Sequence, residues 1–76
     1  MESINMYAVG IDVGGTAIKI GLFEKNGRLV DKKEISTRHE NNCEFVFSDM
    51  AEAVKEVLKN NSVKKKNVSG IGIGMP

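Results

Sequence analysis

Gly10-Ile11-Asp12-Val13-Gly14-Gly15-Thr16-Ala17-Ile18-Lys19 joins the end of one apolar run to the start of another through a pair of glycines. An acid closes the first run, and a hydroxyl and an ammonium open the second. Two adjacent glycines let backbone amides turn inward with no Cβ in the way, which suits a tight hairpin and equally suits a phosphate approaching main-chain donors. The stretch reads as a phosphate-binding hairpin.

Upstream, after a polar lead over Met1 to Asn5, the period-two pattern from Tyr7 to Val13 predicts a first strand. Tyr7, Val9, Ile11 and Val13 share one face; Ala8, Gly10 and Asp12 share the other, an uncrowded face that backbone or ligand can approach. Ala17 to Phe23 predicts a second strand, antiparallel because the connection is so short. Asn26-Gly27 is a strong hairpin signal, since both residues tolerate positive φ. A third strand from about Arg28 to Ser36 follows, polar enough for a sheet edge whose charges discourage foreign pairing.

Thr37 to Asn42 has no periodicity and reads as a loop. From Cys43 or Glu44 to about Asn60 the spacing turns helical, with Val46, Phe47, Met50, Val54, Val57 and Leu58 in one core-packing stripe. Asn42 suits the N-cap, Glu44 the helix N-terminus, and Lys59 with Asn60-Asn61 the C-terminus. About 16 residues at 1.5 Å each give roughly 24 Å, enough to cover the sheet. Ser62 to Asn67 is a basic connection. Val68 to Pro76 then alternates again with glycine on one face, and strand, helix, strand in that order form a right-handed crossover that sets this last strand parallel to the first.

Composition narrows the function. At 76 residues the chain holds one domain at most, near the size at which folding buries only about 60% of the unfolded surface. Its 41% hydrophobic and 28% charged residues are ordinary for a globular chain, and a net charge of +1 gives no general attraction to nucleic acid or to anionic membrane. The single cysteine, Cys43, fits a reducing, cytoplasmic setting, and no apolar run reaches the roughly 20 residues of a membrane span. A glycine-rich strand with nothing after it to cover it points to the amino-terminal piece of a longer protein, an incomplete domain whose exposed sheet edges favour self-association.

Asp12-x-Gly14-Gly15-Thr16-x-x-Lys19 is the most specific motif. Asp12 can hold Mg²⁺ through water, the amides of Gly14, Gly15 and Thr16 can cradle phosphate oxygens, the Thr16 hydroxyl adds a donor, and Lys19 supplies a compact positive charge. Without phosphate the same residues make a plain Gly-Gly turn with surface charges, but residue types and spacing converge on the anion. Gly70-x-Gly72-x-Gly74 lacks the following helix that a dinucleotide fingerprint needs. His39 sits in a polar loop with no local orienting partner, Cys43 is no better placed as a nucleophile, and Lys64-Lys65-Lys66 without aromatics marks a solvated turn rather than a nucleic-acid patch.

Residues 10 to 23, with the doubled glycine, resemble the first phosphate motif of the ROK family of sugar kinases, the bacterial glucokinase-like proteins. Gly70-Ile71-Gly72-Ile73-Gly74-Met75-Pro76 is similar to that family's next strand. The resemblance implies an α/β, ribonuclease H-like N-terminal subdomain of the actin and hexokinase superfamily, with three antiparallel strands, one crossover helix and a parallel fourth strand. It implies ATP and Mg²⁺ as cosubstrates and phosphoryl transfer to a hexose or N-acetylhexosamine hydroxyl. Asp12 would orient Mg²⁺ and phosphate, Gly14, Gly15 and Thr16 would contact the ATP phosphates, and Lys19 would support them.

The family's catalytic aspartate, sugar-binding residues, zinc site and adenosine motifs lie beyond Pro76, so the chain alone is expected to be catalytically silent. Two other classes compete with the kinase: a stand-alone nucleotide-binding or interaction module, and a transcriptional regulator of the same family, for whose DNA-binding helices the six residues before Tyr7 leave no room.

Overall fold

In the computed structural model, residues 6–40 and 44–74 are described. β1 (Tyr7–Val13), β2 (Ala17–Glu24), β3 (Leu29–Ser36), α1 (Val46–Asn60), a 3₁₀ turn (Lys65–Asn67) and β4 (Val68–Gly74) follow one another along the chain. The sheet order is β3-β2-β1-β4, with β1 antiparallel to β2, β2 antiparallel to β3, and β4 parallel to β1. This is the topology that the alternating runs and the crossover imply.

Alternation decides the core. Val9 and Ile11 of β1 and Ile18, Ile20 and Leu22 of β2 face α1 and are buried, the last three almost completely. Each such aliphatic side chain contributes about 1.5–3 kcal/mol on leaving water. Met50, Ala53, Val57 and Leu58 of α1, with Val46 and Val63, close the cluster from above.

Several boundaries and faces depart from the sequence expectation. α1 begins at Val46, after an N-cap position at Phe45 that makes no side-chain cap bond; Asp49 is the acid of its first turn. Asn42 and Cys43 lie outside the described residues, and Glu44 precedes the helix. Ala53 is buried although the stripe did not include it, whereas Phe47 is 65% exposed. The reason is lateral placement: α1 packs over β2 and β3, so its flank nearest β4 is left open. Phe47, Val54, Ile71 and Ile73 line the apolar trough that results, about 430 Å³ in volume.

The β2–β3 connection also differs in detail. Gly27 N–H donates to Glu24 O at 2.8 Å, and Glu24 N–H to Arg28 O at 2.8 Å. Gly27 alone takes positive φ, 93°, while Asn26 holds the turn through its side chain, accepting from Arg28 N–H at 2.9 Å. A register shift between Leu22 and Phe23 follows from this longer turn.

Helix α1 ends in a Schellman arrangement. Val63 N–H donates to Leu58 O at 2.9 Å and Ser62 N–H to Lys59 O at 3.1 Å, with Ser62 in the left-handed region at φ 56°. Asn61 Nδ2 then donates to both Val57 O and Asp31 Oδ2 at 2.8 Å, tying the helix end to β3.

Candidate functional site

The β1–β2 register places Asp12 directly opposite Lys19, and the β1–β4 register places Gly74 on the other side of Asp12. Both charged residues are exposed on the face away from α1. Val13 pairs with Ile18, and Gly14 N–H donates to Ala17 O at 2.9 Å, which closes the hairpin and leaves Gly15 and Thr16 at its tip.

The Gly14 amide donates to Ala17 O, and Gly14 shapes the turn, because a Cβ there would lie 2.9 Å from Ala17 O. A Cβ on Gly15 would meet nothing within 4 Å. Among the described residues the amides of Gly15 and Thr16 and the Thr16 hydroxyl make no hydrogen bond. Asp12, Gly15, Thr16 and Lys19 are thereby brought together on one end of the sheet, with Gly14 shaping the turn between them.

Three carbonyls of the turn are held from behind by the segment after β3. Thr37 Oγ1 donates to Gly14 O at 2.9 Å, Thr37 N–H to Thr16 O at 3.0 Å, and His39 Nε2 lies 2.7 Å from Gly15 O. A carbonyl only accepts, so Nε2 carries the proton in this bond. His39, read from sequence as a solvated loop residue, is therefore bound to the hairpin. Between the two, Arg38 points toward α1: its Nε and Nη2 reach the two Asp49 carboxylate oxygens at 2.8 Å each, and its guanidinium lies 4.3 Å from the Phe45 ring centroid. The Arg38 hydrogen bonds hold the Asp49 carboxyl below the usual carboxylate range and raise the guanidinium's own pKa.

On the same helix-free face, Gly21, Gly10 and Gly72 fall in register across β2, β1 and β4. The Phe23 ring lies over this row: a Cβ on Gly21 would stand 2.8 Å from Phe23 Cε2, and one on Gly10 at 3.4 Å. A shallow groove of about 430 Å³ runs here, with Asp12, Lys19 and Lys32 along it. The glycines of β4 thus continue a flat strip that leads to the turn.

The exposed Asp12 carboxylate near the unbonded amides fits Mg²⁺, which keeps most of its water and is held by one or two carboxylates together with phosphate oxygens. Among the described residues no three His, Cys, Asp or Glu side chains converge, so no all-protein metal cage is formed there. Lys65 and Lys66 sit exposed on the 3₁₀ turn. No helix among the described residues is long and apolar enough to cross a membrane.

Residues 7–75 match the model of the FGGY family of carbohydrate kinases, N-terminal domain. The chain belongs to this kinase family. It is 37% identical over 70 residues to a glucokinase of Halalkalibacterium halodurans, covering 92% of this chain and 21% of that protein. To a glycerol kinase of Brevibacillus brevis it is 32% identical over 77 residues, covering 91% of this chain and 15% of the relative. A crystal structure from Cytophaga hutchinsonii, described as that of a candidate sugar kinase, superposes with a TM-score of 0.63 at 31% identity, covering 90% of this chain and 21% of that one.

The chain thus spans about a fifth of the length of the first of these relatives. The four-stranded mixed sheet with helix α1 packed on it is the sugar-kinase N-terminal fold, as the actin and hexokinase resemblance implied. The family that matches is the FGGY kinases, where residues 10 to 23 had pointed to the ROK kinases; a sugar-kinase N-terminal domain is common to both readings.

Proposed function

We propose that the hairpin over residues 14–19 is the phosphate-binding end of an ATP-dependent sugar kinase, and that this chain supplies the β- and γ-phosphate side of its nucleotide site. The observation that carries the reading is the juxtaposition of Asp12, Lys19 and the unpaired amides of Gly15 and Thr16 at one sheet end. Lys19 offers a point charge to phosphate, the two amides and the Thr16 hydroxyl offer directed donors, and Asp12 holds a hydrated Mg²⁺ through its water. Bound Mg²⁺ and ATP supply the transferable phosphoryl group; the residues named here position it and neutralise its charge.

Within the sugar kinases, the doubled glycine and the similarity to a glucokinase support a ROK-type member acting on a hexose or N-acetylhexosamine in a cytoplasmic setting. The base that takes the proton from the sugar hydroxyl is read as belonging to a longer protein, so the chain alone is expected to bind and not to turn over. Self-association belongs to the same reading: β4 has an unpaired outer edge among the described residues and no charged side chain, unlike β3 with Asp31, Lys32, Lys33 and Glu34.

Calorimetric titration of the 76-residue chain tests the proposal. Weak binding of Mg²⁺-ATP, lost in Asp12→Ala, is expected; submicromolar affinity, or glucose phosphorylation by this chain, contradicts it.

A further inference from the structure

Anion-binding turns need their carbonyls turned away from the ligand, because a carbonyl oxygen facing a phosphate repels it. In this hairpin the carbonyls of three consecutive residues, Gly14, Gly15 and Thr16, accept from Thr37 Oγ1, His39 Nε2 and Thr37 N–H at 2.9, 2.7 and 3.0 Å. A peptide plane fixed through its oxygen has its next N–H aimed the opposite way, since C=O and N–H of one unit are antiparallel. Bonds to Gly14 O and Gly15 O therefore direct the amides of Gly15 and Thr16, the two that make no bond among the described residues.

We infer that residues 37–39 are a positioning strut for the phosphate turn: Thr37 and His39 orient the Gly15 and Thr16 amides, and Arg38 anchors the strut to α1. The inference rests on the reading of the turn as a phosphate site. The contacts divide along the tripeptide, with side chains 37 and 39 toward the hairpin and side chain 38 toward Asp49 and Phe45. The anchor is itself well made, a two-point guanidinium–carboxylate fork. The strut bonds to the carbonyls of the turn, so its effect passes through the peptide planes. Sequence separation of 23 and 24 residues between strut and turn is why no local pattern announces it.

Thr37→Val keeps the shape and removes the hydroxyl, and His39→Phe keeps a ring and removes the donor. Thr37→Ser and His39→Gln retain a donor at each place. Two readouts on these four variants separate the ideas: the amide NMR signals of Gly15 and Thr16 without ligand, and affinity for inorganic triphosphate with Mg²⁺. In Thr37→Val and His39→Phe both amide signals shift and broaden and affinity falls about tenfold, the cost of one misdirected charge-assisted bond. Thr37→Ser and His39→Gln keep both readouts near those of the parent chain, and the signals of Ile20 and Leu22 stay in place throughout. Unchanged Gly15 and Thr16 signals, or shifted signals with unchanged affinity, overturn the inference. If Thr37→Val fails to fold, His39→Phe at its exposed position decides alone. Should the parent chain not bind triphosphate, the phosphate reading falls, while the free-state signals still judge the strut.

Discussion

Asp12 stands opposite Lys19 across β1 and β2, two residue pairs from the turn that Gly14 N–H and Ala17 O close. No ion pair joins them among the described residues, so both charges remain available to a ligand. They are expected to act differently. Lys19→Ala lowers triphosphate affinity about fivefold with or without Mg²⁺, from loss of one charge-assisted contact. Asp12→Ala removes only the Mg²⁺-dependent part. Equal losses in both variants under both conditions contradict this division, and titration at low ionic strength checks it.

The two glycines of the turn have separable tasks. A Cβ at position 14 collides with Ala17 O at 2.9 Å, and one at position 15 meets open space. Gly14→Ala is expected to destabilise by about 1–3 kcal/mol, the range of forced backbone adjustment. Gly15→Ala leaves Tm nearly unchanged and instead weakens phosphate binding by crowding the tip. Thermal unfolding of the two variants side by side distinguishes them.

Ser62 occupies the left-handed position of the α1 terminus at φ 56°, a conformation that costs a residue with a Cβ about 1–2 kcal/mol. Ser62→Gly is expected to stabilise by about 0.5–1 kcal/mol, the penalty less the extra chain entropy of glycine. A lower Tm for this variant would show that the Ser62 side chain contributes more than its strain.

Acid should loosen α1 from the sheet. The Asp49 carboxyl is lowered by its hydrogen bonds from Arg38, and the Asp31 carboxyl by those from Asn61 and the Lys32 amide. A carboxyl lowered by folding stabilises the native state fully above its unfolded pKa, about 3.9, and the contribution disappears as pH falls through the lower folded value. Urea midpoints should be flat from pH 7 to about 5 and drop below about 4. Asp49→Asn is expected to flatten that acid limb while lowering the plateau; an unchanged limb in Asp31→Asn and Asp49→Asn alike refutes the assignment.

Ile71 and Ile73 of β4 are 55% and 50% exposed beside Phe47, next to an uncharged strand edge. Ile73→Lys places a charge on that edge and is expected to shift the chain toward monomer in sedimentation. A monomeric parent chain at high concentration would remove the premise.

Period-two alternation made the hairpin legible, because Val9, Ile11, Ile18, Ile20 and Leu22 are the residues the sheet buries. The crossover to β4 was legible for the same reason, as a change of period between two strand-like runs. Local rules failed where a distant partner decides. Phe47 fits the helical stripe but hangs off the flank that α1 leaves over β4, and Ala53 is buried only because β2 and β3 lie beneath it. The pairing of Asp12 with Lys19 across the hairpin was readable from spacing alone; the contacts of Thr37 and His39 were not, since their partners are Gly14, Gly15 and Thr16.

The most direct test of the central claim is a residue-resolved NMR titration of the chain with Mg²⁺-ATP, compared with adenosine. Shifts confined to residues 14–19 with Asp12 and Gly74, reproduced by Mg²⁺-triphosphate and absent with adenosine, are the expected result. Shifts centred instead on the trough between Phe47 and Ile73, or equal responses to adenosine and ATP, would contradict it.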